Sequence, residues 1–170
     1  GFVHPSLQLR SFGDAGRGVV AQNAVEADAV LFRIPRAAVL SEEAAIKDPR
    51  LASLQSQFTL LSQIPSALLA LFLLLERERP DSHWKPYLRM LPDRFSIPLY
   101  WTWEELLLLR GSTAFNASLQ MWRNAVRMYV LISQICKQNA KALGISKPPT
   151  FSVWRWALGA VFTRRNVIPY

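Results

Sequence analysis

Two short stretches of this chain hold residue types that could do chemistry at a suggestive spacing. One is Thr163-Arg164-Arg165-Asn166-Val167-Ile168-Pro169-Tyr170, which follows the apolar, tryptophan-rich run FSVWRWALGAVF at 151–162. Adjacent arginines and an asparagine closing such a helix are costly to bury and need partners. A guanidinium fork matches a carboxylate with two charge-assisted bonds. By position alone, the run also reads as a solvated helix C-terminus whose arginines face free carbonyls. The other stretch is GDAGRG at 13–18. Glycines at that density mark a turn that needs positive φ or a close backbone approach. Its G-x-x-G-x-G spacing differs from the dinucleotide-binding G-x-G-x-x-G, and it leads into a strand, with no helix N-terminus to take a phosphate. No Gly-Lys-Ser/Thr occurs, which excludes a P-loop. On the residues alone, a structural β-turn and a ligand-facing loop both stay open.

Other constellations fall away. Carboxylates pair only at helix starts (Glu42 and Glu43, Glu104 and Glu105), where capping explains them, and no G-x-S-x-G elbow is present. One cysteine, Cys136, and two distant histidines, His4 and His83, leave no zinc cluster, so no metal site is expected. His83 reads as a surface or helix-end residue. The sequon at Asn116 falls in an expected helix and is discounted.

The elements that must position these stretches change character along the chain. Residues 7–39 read as extended, with the β-leaning runs GVVAQ (18–22) and AVLFRIP (29–35) separated by a polar connection. From Ser41 the period becomes helical. Ser41 caps two glutamates, Pro65 opens a helix running to about Arg79, and Pro80 stops it. The proline-punctuated stretch 84–101 reads as short turns pinned by aromatics. Thr102 to Glu105 has the form of a capping box opening a short helix that stops at Gly111. A long helix is expected over 114–143, ended by Gly144, and Thr150 caps a last helix from Phe151 to about Phe162. In it Phe151, Trp154, Ala157, Leu158 and Val161 share one face at helical spacing. Strands followed by a run of helices indicate an α+β fold.

Composition narrows the class further. Half of the 170 residues are hydrophobic, with six tryptophans and nine phenylalanines, enough to fill a core and too many for disorder. The longest apolar run, Ala67–Leu75, is nine residues, whereas a bilayer core needs about 20. A soluble protein is expected, cytoplasmic or alternatively nuclear. The net charge of +8 suggests an acidic partner, but the basic residues are scattered with no run of five, which disfavours nucleic acid.

Three stretches together resemble the SET-domain protein methyltransferases, in the branch with a large helical insertion (the Rubisco-methyltransferase-like class). GRGVVAQNAVEADAVLFRIPRAAVLS (16–41) is similar to the family's opening glycine turn, strand, polar turn and strand ending in Ile-Pro-Arg. LLERERPDSHWKPYLRMLPDRFSIPLYWTWEEL (74–106) resembles the inserted region, with its W-x-P-Y, L-P and P-L-Y-W elements. WALGAVFTRRNVIP (156–169) resembles the return into the SET core. The resemblance implies short N-terminal SET strands in 1–41, a mostly helical insertion in 42–150, and in 151–170 a returning helix with the cofactor and substrate segment.

It also implies S-adenosyl-L-methionine as cofactor. Ala15, Gly16 and Arg17 would give backbone contacts, with Gly18 completing the turn, and Arg164 would bind the cofactor. The R-x-N-x-I-P run resembles the histidine-methylating branch, the actin-histidine N-methyltransferases, in which the counterpart of Asn166 holds the substrate imidazole. The chemistry is consistent: neutral imidazole, with a pKa near about 6.5, needs only the right tautomer, whereas a lysine near about 10.4 must first lose a proton. The implied partner is a protein substrate, actin-like by analogy only, with no metal and no membrane. The family completes its site with an Asn-His pair and a tyrosine further along. No Asn-His dipeptide occurs in these 170 residues, so they are expected to hold the first part of the site, with no catalytic residue of their own, and to be inactive alone. Lysine methylation and a non-catalytic protein-docking module are the alternatives.

Overall fold

The computed structural model describes residues 1–58, 61 and 63–166. The chain divides into two compact units, Gly1–Leu40 and Ser41–Tyr170.

The first unit is built from two antiparallel pairs. Strand β1 (Phe2–Val3) pairs with β4 (Phe32–Arg33), with Phe2 opposite Arg33. Strands β2 (Leu7–Ser11) and β3 (Arg17–Ala21) form a hairpin whose register runs from Leu7 opposite Ala21 to Ser11 opposite Arg17. The expected strand over 29–35 is only two residues long. Asp28 takes a left-handed φ of 62°, which a short Asp side chain tolerates, and so ends the polar turn just before it. Pro35, which has no N–H to give a ladder, then leads into a 3-10 turn at Arg36–Ala38.

The second unit is helical. Helix α1 (Glu42–Lys47) is capped by Ser41, whose Oγ accepts from the Ala44 N–H at 3.2 Å. Helix α2 (Pro49–Gln57) starts on Asp48, which accepts from the Arg50 N–H. Helix α3 (Pro65–Glu78) is apolar all round from Ala67 to Leu75, the part the core encloses. Leu68, Leu71, Phe72, Leu73, Leu74 and Leu75 are all buried. Short helices α4 (Lys85–Leu88) and α5 (Trp103–Leu107) follow, the second opened by the expected Thr102–Glu105 capping box. The long helix is α6 (Thr113–Gln138). It does not run on to 143, because Asn139 leaves helical geometry at φ −120°, ψ 20° and its side-chain amide donates to the Ile135 carbonyl. An Asn that bonds backbone in this way competes with the helix ladder. A single turn, α7 (Ala140–Leu143), then ends at Gly144.

The last helix, α8 (Phe151–Arg164), is capped by Thr150 and packs along α3. Trp154, Ala157, Leu158 and Val161 are buried as their spacing required, but Trp156, Gly159 and Ala160 are buried too. The second buried face meets the 84–101 segment. The Trp156 indole donates to the Pro92 carbonyl at 2.9 Å, and Trp122 on α6 donates to Pro98 at 3.0 Å. Prolines in this segment thus leave carbonyls that the indoles of buried Trp156 and half-buried Trp122 use. A buried ion pair locks the other end of α3: Glu76, 4% exposed, accepts from Arg50 at 2.5 Å and from the Ser82 hydroxyl at 2.6 Å. Among the described residues, no helix is long and apolar enough to cross a membrane, and no cluster of side chains could hold a metal ion.

Candidate functional site

In the first unit, GDAGRG is the β2–β3 hairpin connection. Gly13–Ala15 form one 3-10 turn, and Gly16 follows at φ 82°, ψ −146°, a conformation closed to residues with a Cβ. Gly16 uses both its backbone groups inside the turn: its N–H donates to Gly13 at 2.9 Å and its carbonyl accepts from Phe12 at 2.7 Å. A Cβ at Gly16 would meet nothing within 4 Å, so the turn presents bare backbone to open space. Gly18 is needed for a different reason, since a Cβ there would stand 2.9 Å from the Phe12 ring. The turn is therefore structural in its internal bonding and open on its outer side. Arg17 begins β3 opposite Ser11.

In the second unit, Arg164 is the last residue of α8. The Arg165 N–H still closes a helical bond to Val161 at 2.9 Å, but Arg165 itself is extended at φ −71°, ψ 123°. The chain straightens there and leaves the Arg164 and Asn166 side chains exposed. The Thr163 hydroxyl bonds back to the Gly159 carbonyl at 2.7 Å. Val167 to Tyr170, including the Ile-Pro of the terminal motif, lie outside the described residues.

What holds Arg164 comes from the segment 84–101. Its guanidinium carbon stands 5.6 Å from the centre of the Phe95 ring, within cation–π range. Phe95 is buried and pressed against α8 where Gly159 has no side chain. Burial pushes the Tyr87 hydroxyl pKa up, while the Arg164 charge pulls against that rise. Neither Phe95 nor Tyr87 is marked by local pattern as a partner of Arg164. The only sign is their place in the W-x-P-Y and L-P block, about 70 residues earlier. No carboxylate pairs with Arg164 among the described residues, and its one hydrogen bond is a long one, 3.5 Å from Nη1 to the Thr163 hydroxyl. His83 is exposed and stacks edge-on to Trp84, as a surface histidine.

No family model matches the chain. Over 165 residues it is 34% identical to an actin-histidine N-methyltransferase of Danio rerio and 32% identical to one of Gallus gallus, covering 96% of this chain. The chain spans 28% of the length of each of these relatives. Among solved structures, the SET domain of LSMT bound to lysine and AdoHcy superposes with a TM-score of 0.79 at 24% identity, over 94% of this chain and 34% of that one. Rubisco LSMT bound to AdoMet gives 0.76 at 25% identity, over 92% and 35%. Sequence and α+β fold both match SET-domain protein methyltransferases over nearly all of the chain.

Proposed function

We propose that this chain, a SET-domain methyltransferase segment in sequence and fold, takes part in S-adenosyl-L-methionine-dependent methylation of a histidine side chain in a protein substrate. One observation carries the proposal. The chain aligns over 96% of its length with an actin-histidine N-methyltransferase at 34% identity, and the exposure of Arg164 and Asn166 at the end of α8 is consistent with that.

The residues fit the cofactor's chemistry. When bound, S-adenosyl-L-methionine supplies an electrophilic methyl group and carries a carboxylate. Arg164, stacked on Phe95 and without a carboxylate partner among the described residues, would hold that carboxylate through its fork. By the family resemblance, Ala15, Gly16 and Arg17 would contribute backbone contacts to the cofactor, Gly16 by close approach because it has no side chain. Asn166 would hydrogen bond one nitrogen of the target imidazole, selecting the tautomer that leaves the other nitrogen's lone pair free. A neutral imidazole needs no general base at pH 7. Alignment in a water-poor site then does the remaining work. The protein substrate is actin-like by analogy with the relatives alone.

The lysine-bound LSMT structures support a second reading, lysine methylation by the same fold. The test is transfer of tritium from labelled S-adenosyl-L-methionine to matched peptides bearing one histidine or one lysine. It uses the native protein that carries this chain, with and without Asn166→Ala. Label on the histidine peptide, lost or redirected in Asn166→Ala, supports the proposal. The histidine rate should level off above about pH 7.5 and fall below about pH 6.5, as the substrate imidazole protonates. Preferential lysine labelling that Asn166→Ala leaves unchanged would sink it.

A further inference from the structure

A cleft of about 400 Å³ opens on the helical unit, lined by Arg77, Asp93, Arg94, Tyr100, Arg155 and Trp156, with Ser152 and Val153 at its edge. Three arginines converge here from three elements: Arg77 from the end of α3, Arg94 from the 84–101 segment and Arg155 from α8. Each is held by an aromatic face. The Arg77 guanidinium carbon stands 4.2 Å from the centre of the Trp156 ring, Arg155 stands 4.6 Å from that of Tyr100, and Arg94 stands 5.9 Å from the same ring. Arg94 also donates to the Tyr100 carbonyl at 3.5 Å. Stacking occupies a guanidinium's face and leaves its N–H edges directed outward, already ordered for a planar oxyanion.

Among the described residues one of these edges is spent internally, the Arg94 N–H on the Tyr100 carbonyl, and no acidic group takes the others. The Arg155 Nε and the Tyr100 hydroxyl are both buried without a hydrogen-bond partner, and buried polar groups are seldom left so. Tyr100 is 9% exposed, and burial, against the Arg155 and Arg94 charges, raises its pKa, so at neutral pH it adds no negative charge. Asp93 is the one carboxylate on the rim, leaving an excess of two positive charges from three arginines and one aspartate. Ser152 and Val153 belong to the first turn of α8, whose dipole has its positive end there.

We propose that this cleft is a docking site for an acidic segment of a protein partner, one presenting aspartate or glutamate carboxylates. Its volume falls at the lower end of the range of about 300–1,000 Å³ usual for organic ligands, larger than a lone inorganic anion needs. Three forks, one held on Trp156 and two on Tyr100, suit several carboxylates better than one tetrahedral phosphate. The site would give the chain's positive charge a specific recipient, and it stands whether or not the methylation reading holds.

The experiment is fluorescence polarisation of a labelled oligo-glutamate peptide with the 170-residue chain, alongside Arg77→Gln, Arg94→Gln, Arg155→Gln and the triple variant. Each single change should weaken binding by about 2- to 5-fold, as for partly exposed pairs, and the triple by about 10- to 100-fold. Asp93→Asn should tighten it by a similar single step, a gain that a misfolded variant cannot mimic. Added salt should weaken the wild type more than the triple variant. Three results would overturn the proposal: equal losses from Arg123→Gln and Arg127→Gln on α6, which would mean charge alone; no peptide binding; or inorganic phosphate displacing the peptide at stoichiometric concentration, which would make the site one for a lone oxyanion.

Discussion

Replacing Gly159 with alanine tests how closely α8 is fitted to the ring that supports Arg164. A methyl group built at Gly159 would collide with Cδ2 of Phe95 and stand 3.1 Å from its Cε2 and Cγ. The obstacle is a rigid ring, 6% exposed and tilted against Tyr100 at 6.2 Å, rather than the end of a flexible chain. Overpacking of this kind costs about 1–3 kcal/mol. Alanine in a helix interior returns about 0.8–1 kcal/mol relative to glycine. The collision is severe enough to place the cost in the upper half, so the net loss should be about 1–2 kcal/mol. At about 2–4 °C per kcal/mol for a chain of this size, Tm should fall by about 2–8 °C. Urea unfolding should show a lower midpoint with an unchanged m-value. In a Phe95→Leu background the obstacle is gone, and the same Gly159→Ala change should be neutral or stabilising. If Gly159→Ala alone stabilised the protein by its helix propensity, the packing of Phe95 against α8 would be refuted, and with it the support of Arg164.

Other consequences can be checked on the same material. Arg50→Ala would strip buried Glu76 of its nearer ion partner, leaving it Arg79 at 3.9 Å and the Ser82 hydroxyl, and should cost about 3 kcal/mol in a urea titration, the lower end for a broken buried pair. Asp48 bears on acid stability: burial pulls its pKa up, but hydrogen bonds from the Arg50 side chain and backbone outweigh that and hold it below the usual carboxylate value. Its stabilising share is therefore present above about pH 3.9 and lost as pH falls through the lower folded value, a loss that Asp48→Asn should remove from the pH profile. Burial pushes the Cys136 thiol up to about 11, so alkylation at pH 8 should be negligible in the native protein and fast only in denaturant.

Much of the helical unit was legible because its signals are local. Ser41, Thr102 with Glu105, and Thr150 each cap the helix that follows, Pro65 opens α3, and Gly144 closes α7 at φ 68°. The last helix was readable from its spacing, including the place of Arg164 near its end. The break at Asn139 was not, because it depends on a side chain choosing a backbone carbonyl over solvent. The second buried face of α8 was hidden too. Gly159 and Trp156 are specified by Phe95 and Pro92, more than 60 residues earlier, and no periodicity connects them. The same holds for the arginine cleft, whose members look like scattered surface charge until Tyr100 and Trp156 gather them. In the first unit the glycine turn was evident, but strand length was overread, since β-leaning residues at 29–35 give way to Asp28 and Pro35.

The proposed methylation requires Arg164 to hold the carboxylate of S-adenosyl-L-methionine. It is tested most directly by calorimetric titration of S-adenosylhomocysteine, which carries the same carboxylate, into the native protein that contains this chain and into its Arg164→Ala form. Loss of a charge-assisted bond worth about 1.5–3 kcal/mol should weaken binding by about 10- to 100-fold. Arg164→Lys should recover only part of it, keeping the charge without the fork. Saturable binding by the wild type with that loss is the result expected. Equal affinity of wild type and Arg164→Ala would contradict the account.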